Sequence, residues 1–350
     1  MKPQFTEEQI QKTAEALFMK VASVNCDPRR KGPWTLEECI KLAPLILEIK
    51  ALKKEKNAMI MAHSYVDPEI IYGVADEVGD SYYLSKKAQE NKAPLVIFAG
   101  VVFMAESTKL LSPKSRVFVP DTHAGCSLAD SLTAAQLRDL KWQYPNAAVV
   151  SYINCNADVK AESDVCVTST NVYDIIAQLP QKEILFVPDM LMAANVRVEL
   201  KARGIDKIIH TSDGTCIVHD RFTAAEIKDA RMRFPGVKVV SHPECPLEIT
   251  ALSDYVGSTG GMIKYVKDTN APYFLMLTEC GLVSRLEVEN PDKHFVGSCK
   301  LCPFMKLNSL EKIRDTLRDL PLNQEILVPE PTLSRGVKAL ERMIQMTKVG

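Results

Sequence analysis

The sequence lacks a run of basic residues, and that absence excludes the usual electrostatic footprint for nucleic acid or an acidic membrane surface. Lys and Arg number 43 against 44 Asp and Glu, so the formal net charge is -1. It also lacks an apolar stretch long enough for a bilayer. The most apolar window, APLVIFAGVVFMA at residues 93–105, is bracketed by Lys92 and Glu106 and falls short of the roughly 18 to 20 residues a crossing needs. That window reads as a core strand with its following loop. Residues 1–25 carry Glu7, Glu8 and Glu15 and resemble an amphipathic helix, not a signal peptide. Neither a Walker loop nor a GxGxxG is present, which disfavours a nucleotide cofactor. Ten cysteines in 350 residues are too sparse for a secreted disulfide scaffold, so a cytoplasmic chain with reduced thiols is expected, in which cysteine pattern points to metal or catalysis. Small-molecule chemistry is the remaining expectation.

What is present is a repeat. AMIMAHSY (58–65), AAVVSYIN (147–154) and VKVVSHPE (237–244) are apolar strands running into polar tips, and the tips His63, Tyr152 and His242 are 89 and 90 residues apart. A second echo joins ADEVGDS, SDVCVTST and SDYVGST, and a third joins PLVIFAG, EILFVPD and PYFLMLTE. A fourth joins SRVFVPDTHAGC, DKIIHTSDGTC and DKHFVGSCKLC, each a strand with a glycine-containing loop that ends on cysteine. Strands alternating with helical patterns give an α/β fold: three pseudo-symmetric three-layer αβα units with parallel sheets around a central cavity. The expected division is an N-terminal helical extension at 1–50, units at 51–140 and 141–230, and a third unit with C-terminal helices at 231–350. The extension reads as amphipathic helices that either cap the units or form a subunit contact, which the sequence does not discriminate. Right-handed crossovers place the tips at the carboxyl ends of the strands, where open α/β sheets bind ligands.

The repeat singles out Cys126, Cys216 and Cys302, at separations of 90 and 86. Three thiolates form a soft site suited to an iron–sulfur cluster or to zinc. Cys299 and Cys302 also form a CxxC, the pattern of a redox pair or half a zinc knuckle, but no second pair lies nearby; Cys299 is expected beside the site without ligating. Cys26, Cys39, Cys155, Cys166, Cys245 and Cys280 read as structural. His63, Tyr65, Tyr152, Asn154, His242 and Glu244 lie at strand tips, and His219 lies three residues after Cys216. With His123, the histidines 63, 219 and 242 point to proton transfer and carboxylate binding, whereas His210 and His294 read as packing inside strands. Tyr65 and Glu244 are expected to stand away from the cysteine loops. Ser81, Ser169 with Thr170, and Ser258 with Thr259 each precede a helical pattern, where N-caps and anion sites coincide.

In MAHSYVDPEI, GDSYYLSKKA, FMAESTKLLSP, SYINCNADVKAESDVCVTST, GTCIVHDRF, SHPECP, VGSTGGMI and CPFMK, the chain resembles the quinolinate synthase family from about Ala58 to the C-terminus. The resemblance implies condensation of iminoaspartate with dihydroxyacetone phosphate to quinolinate, releasing phosphate and two waters, in NAD biosynthesis. It implies a [4Fe-4S] cluster on Cys126, Cys216 and Cys302, its open iron acting as a Lewis acid. Tyr65, His219 and Glu244 are then catalytic. His63, Ser81, Tyr152, Asn154, Ser169, Thr170, His242, Glu244, Ser258 and Thr259 are then substrate-binding. A transient contact with the L-aspartate oxidase that supplies iminoaspartate is a further implication, with no nucleic-acid or membrane partner. The chain departs from the family in its N-terminal extension and in a single CxxC where some members carry CxxCxxC. Two other readings stay open at this point. One is another three-unit, three-cysteine enzyme, resembling the isoprenoid HMB-PP reductase or a diphthamide-synthesis radical enzyme. The other is an iron–sulfur sensor or electron carrier.

Overall fold

Strands of this chain are built from short Val, Ile, Leu and Phe runs, and a run without a polar face needs cover on both sides. The computed structural model, which describes residues 5–297 and 300–347, provides that cover with helices. The first sheet contains β1 (Ala58–His63), β2 (Glu77–Gly79), β3 (Leu95–Ala99) and β4 (Arg116–Phe118). The second contains β5 (Ala148–Tyr152), β6 (Val165–Val167), β7 (Glu183–Val187) and β8 (Ile208–Thr211). The third contains β9 (Lys238–Ser241), β10 (Tyr255–Val256), β11 (Tyr273–Leu277) and β12 (His294–Val296). Their orders are β2-β1-β3-β4, β6-β5-β7-β8 and β10-β9-β11-β12, so one topology is laid down three times. The pairings between these strands are parallel, as the alternation of strand and helix predicts.

β3 and β5 are buried along their whole length. Phe98, Phe186 and Met276, each the fourth residue of the third strand of its sheet, are buried, each contributing about 1.5–3 kcal/mol of apolar transfer. The expected loop after β3 is only Gly100-Val101, because a helix begins at Val102.

Past the fourth strand, each unit makes a short 3₁₀ turn and starts a new helix. Thr133 and Thr223 cap those helices with reciprocal Gln136 and Glu226 contacts, and Ser309 caps the third. Such boxes satisfy backbone N–H groups that have no helical partner.

Three polar side chains, Ser127 half-buried and Asn195 and Asn308 buried, join the units. Ser127 donates to the Thr215 carbonyl at 3.0 Å and accepts the Ile217 N–H at 3.2 Å, tying units one and two. Asn195 donates to the Pro243 and Cys245 carbonyls, each at 2.9 Å, tying two and three. Asn308 pairs with both the N–H and the carbonyl of Gly100, at 3.2 and 3.0 Å, tying three and one. The carboxyl ends of all three sheets therefore face a common space.

In the N-terminal segment, helices Glu7–Val21 and Leu36–Glu55 pack on each other. The second also lies against β1 and against helix Leu310–Asp319. Helix Thr332–Thr347 packs against β6 and against helices Val102–Leu111 and Ala157–Ala161 of units one and two. No helix among the described residues is long and apolar enough to cross a membrane.

Candidate functional site

β1 and β9 deliver the same local structure to the centre. Beyond each strand the chain turns so that a ring nitrogen of histidine receives the N–H two residues on: His63 Nδ1 accepts from Tyr65 at 3.2 Å, and His242 Nδ1 accepts from Glu244 at 3.3 Å. An Nδ1 that accepts a hydrogen bond leaves the ring proton on Nε2. Burial pulls both imidazoles down to about 3. They are neutral N–H donors, able to hold a carboxylate or carbonyl oxygen without carrying charge.

A continuous chain of hydrogen bonds crosses the three units. The Tyr65 hydroxyl lies 3.0 Å from the hydroxyls of Thr259 and Thr278. Thr278 lies 3.1 Å from His219 Nε2, and His219 Nδ1 lies 2.9 Å from Glu244 Oε2. Tyr152 donates its hydroxyl proton to Glu244 Oε1. The His219 and His242 rings stack with centroids 4.6 Å apart. Burial opposes charge on Glu244, but His219 beside it and the Tyr152 hydroxyl hold its carboxyl below the usual range. Burial pushes the Tyr65 phenol well up, so it is a proton donor at neutral pH, despite its contacts with Thr259 and Thr278. For Tyr152, burial and then the Glu244 charge do the same. A carboxylate, an imidazole and two phenols in series can give, take and relay protons.

Cys126, Cys216 and Cys302 line the same cavity as this network, which encloses about 740 Å³ including space open to solvent. All three are free thiols. Each sits at the start of the short turn, and the N–H groups two and three residues on point back to the sulfur: Leu128 and Ala129, Val218 and His219, Phe304 and Met305. The turn is closed identically in each unit, by the Asp130, Asp220 and Lys306 N–H groups on the cysteine carbonyls at 2.9, 3.0 and 3.2 Å. Burial pushes the Cys126 thiol up to about 12 and the Cys302 thiol up to about 11, and raises Cys216 well above the ordinary range. Soft donors whose thiolate form is penalised by burial and supported by N–H groups suit a cationic metal centre, which replaces the protons. A second grouping exists: atoms of Cys216, His219 and Glu244 lie within 4.8 Å of one another. Its His219 and Glu244 already satisfy each other, so the three thiols fit a cluster better.

Of the residues singled out above, His63, Tyr65, Ser81, Tyr152, Asn154, Ser169, His219, His242, Glu244 and Thr259 line the cavity with the three cysteines. Thr170 is exposed and Ser258 is buried, and neither is in its lining. Ser258 instead accepts the Gly261 N–H at 3.1 Å as a helix cap. In unit one the cap is Asp80, with Ser81 the first helical residue, and in unit two it is Asn171. Glu244 does not stand away from the cysteine loops, because β9 carries it to Cys216. His123 is outside the cavity, its side chain 88% exposed and paired with Asp121. His294 is exposed at the start of β12 and not packed inside it. His210 stacks on Tyr144 at 3.9 Å. Cys280 is disulfide-bonded, against the expectation of reduced thiols throughout, and Cys299 lies outside the described residues. Thr278, Glu279 and Lys306 escaped the sequence reading. The available signal was Thr278-Glu279 directly following β11, where Asp189 follows β7 in unit two.

A family model described as quinolinate synthetase A protein matches residues 47–345. A quinolinate synthase of Sinorhizobium medicae (strain WSM419) is 45% identical over 304 residues, covering 87% of this chain and 83% of that protein. One from Caulobacter vibrioides (strain NA1000 / CB15N) is 43% identical over 308 residues, covering 87% and 82%. One from Xylella fastidiosa (strain 9a5c) is 41% identical over 305 residues, covering 87% and 88%.

Proposed function

Because the chain belongs to the quinolinate synthetase A family, we propose that it condenses iminoaspartate with dihydroxyacetone phosphate to quinolinate, releasing phosphate and two waters. The observation that carries this reading is the meeting, around one cavity, of three N–H-supported thiols and a hydrogen-bonded acid–base chain. Cys126, Cys216 and Cys302 would hold a [4Fe-4S] cluster, which when bound supplies a Lewis acid at the iron that has no protein ligand.

The remaining chemistry falls to side chains of this chain. The Nε2–H groups of His63 and His242 suit the carboxylates of the amino-acid-derived substrate. The helix starts near Ser81 and Thr259 suit a phosphate through those first-turn N–H groups that Asp80 and Ser258 do not already hold. Tyr65 is protonated and suits donation to a departing oxygen, while the Glu244 carboxylate, with His219 between them, suits proton removal. Closing an aromatic ring requires enolisation and two dehydrations, each a proton transfer. An electron carrier has no use for such a lining, and the family match separates this chain from the reductase and diphthamide designs.

Anaerobic reconstitution with iron and sulfide, followed by both substrates, should yield quinolinate in proportion to bound cluster. Fully loaded protein that forms no quinolinate overturns the proposal.

A further inference from the structure

Glu279 and Lys306 lie beside the proton chain yet touch both of its neighbours. Glu279 follows β11 and caps helix Cys280–Glu289. With its side chain 1% exposed, it accepts the Gly281 N–H at 2.5 Å and the Cys302 N–H at 3.1 Å. Lys306, on the turn after Cys302, donates to the Tyr65 carbonyl at 2.7 Å. Its ammonium lies 3.1 Å from Asp67 and 3.5 Å from Glu279, and Asp67 also receives Arg29 of the N-terminal segment at 2.6 Å. A Cβ on Gly281 would fall 2.4 Å from the Tyr65 carbonyl oxygen, so the helix start of unit three is pressed against the tip of unit one. A buried ammonium is tolerated only where such partners replace its water, and here those partners fix two loops at once.

We infer that Lys306 and Glu279 are positioning residues that set the Cys302 backbone and the Tyr65 loop relative to each other, joining the metal side of the cavity to its proton-transfer side. The inference rests on reading Cys302 as a cluster ligand and Tyr65 as a reacting group. Removing the ammonium frees the Tyr65 carbonyl and leaves an unpaired carboxylate behind Cys302. Converting that carboxylate to an amide keeps its one oxygen as an acceptor for the Cys302 N–H and gives up the bond from the Gly281 N–H.

The test compares wild type, Lys306→Met and the double variant Lys306→Met/Glu279→Gln, all reconstituted without oxygen. Iron and sulfide content, the rate of iron transfer to a ferrous chelator, and kcat and KM per bound cluster are measured. Lys306→Met should lose iron faster and fall in kcat per cluster, each by about ten- to a hundredfold, the scale of losing a group that orients a ligand, with KM unchanged. The double variant should return toward the wild-type chelation rate while keeping the kcat deficit, because Tyr65 still lacks its tether; it also carries the test if Lys306→Met does not fold. Wild-type kcat per cluster in the double variant, or an unchanged chelation rate in folded Lys306→Met, overturns the inference. Loaded wild type that makes no quinolinate would instead sink the functional reading, and the chelation rates would still decide the positioning role.

Discussion

Thr278→Val replaces one hydroxyl by a methyl at a position 1% exposed, so neither volume nor water access changes much. The hydroxyl is the only hydrogen-bond partner of His219 Nε2 described above, whereas Tyr65 keeps Thr259. A buried nitrogen left without a partner costs about 1–3 kcal/mol. If the same amount is lost from the transition state, kcat/KM falls about five- to a hundred-and-fiftyfold. Urea unfolding of the apo chain gives the stability change, and anaerobic quinolinate formation per cluster gives the kinetic one. Thr278→Ser keeps the hydroxyl and should stay near wild type in both. The reasoning is refuted if Val at this position retains wild-type kcat/KM, or if Ser is as damaging as Val.

Cys126→Ser, Cys216→Ser and Cys302→Ser should each lose most of the iron after anaerobic purification, whereas Cys166→Ala should keep it, as iron and sulfide analysis will read. Gly281→Ala places a methyl 2.4 Å from the Tyr65 carbonyl, so it should lower kcat while leaving cluster content intact; normal turnover would show that the two loops separate without consequence. The pH dependence has a definite sign. Folding holds the imidazoles of His63 and His242 at about 3 against an ordinary 6.5, so the unfolded chain takes up protons first as pH falls below 6.5. Stability is full above 6.5 and drains from there toward 3, by up to about 1.4 kcal/mol per pH unit for each imidazole. Urea titrations of the apo chain across that interval should show the slope, and His63→Gln should flatten it.

The three-unit α/β plan, the strand tips and the cysteine ending the loop after each fourth strand are legible in the sequence alone. These are carried by local residue patterns at a period near 90, and a strand tip or a loop cysteine announces itself by what precedes it. Where copies had diverged, the same logic failed. A cap sits on Asp80 where Ser81 was expected, because either residue can end an extended segment, and only the backbone shows which side chain meets the Tyr83 N–H. Thr278 and Glu279 end the third echo and Lys306 ends CPFMK, but neither pattern says what these side chains touch. Their roles come from partners far along the chain, 213 residues away for Thr278 with Tyr65 and 241 for Lys306 with Tyr65. Such contacts arise only where the three units close on one another. The tertiary structure alone decided that Glu244, read as remote from the cysteines, stands beside Cys216, because the turn after β9 and the loop after β8 belong to different units and meet only where those units pack.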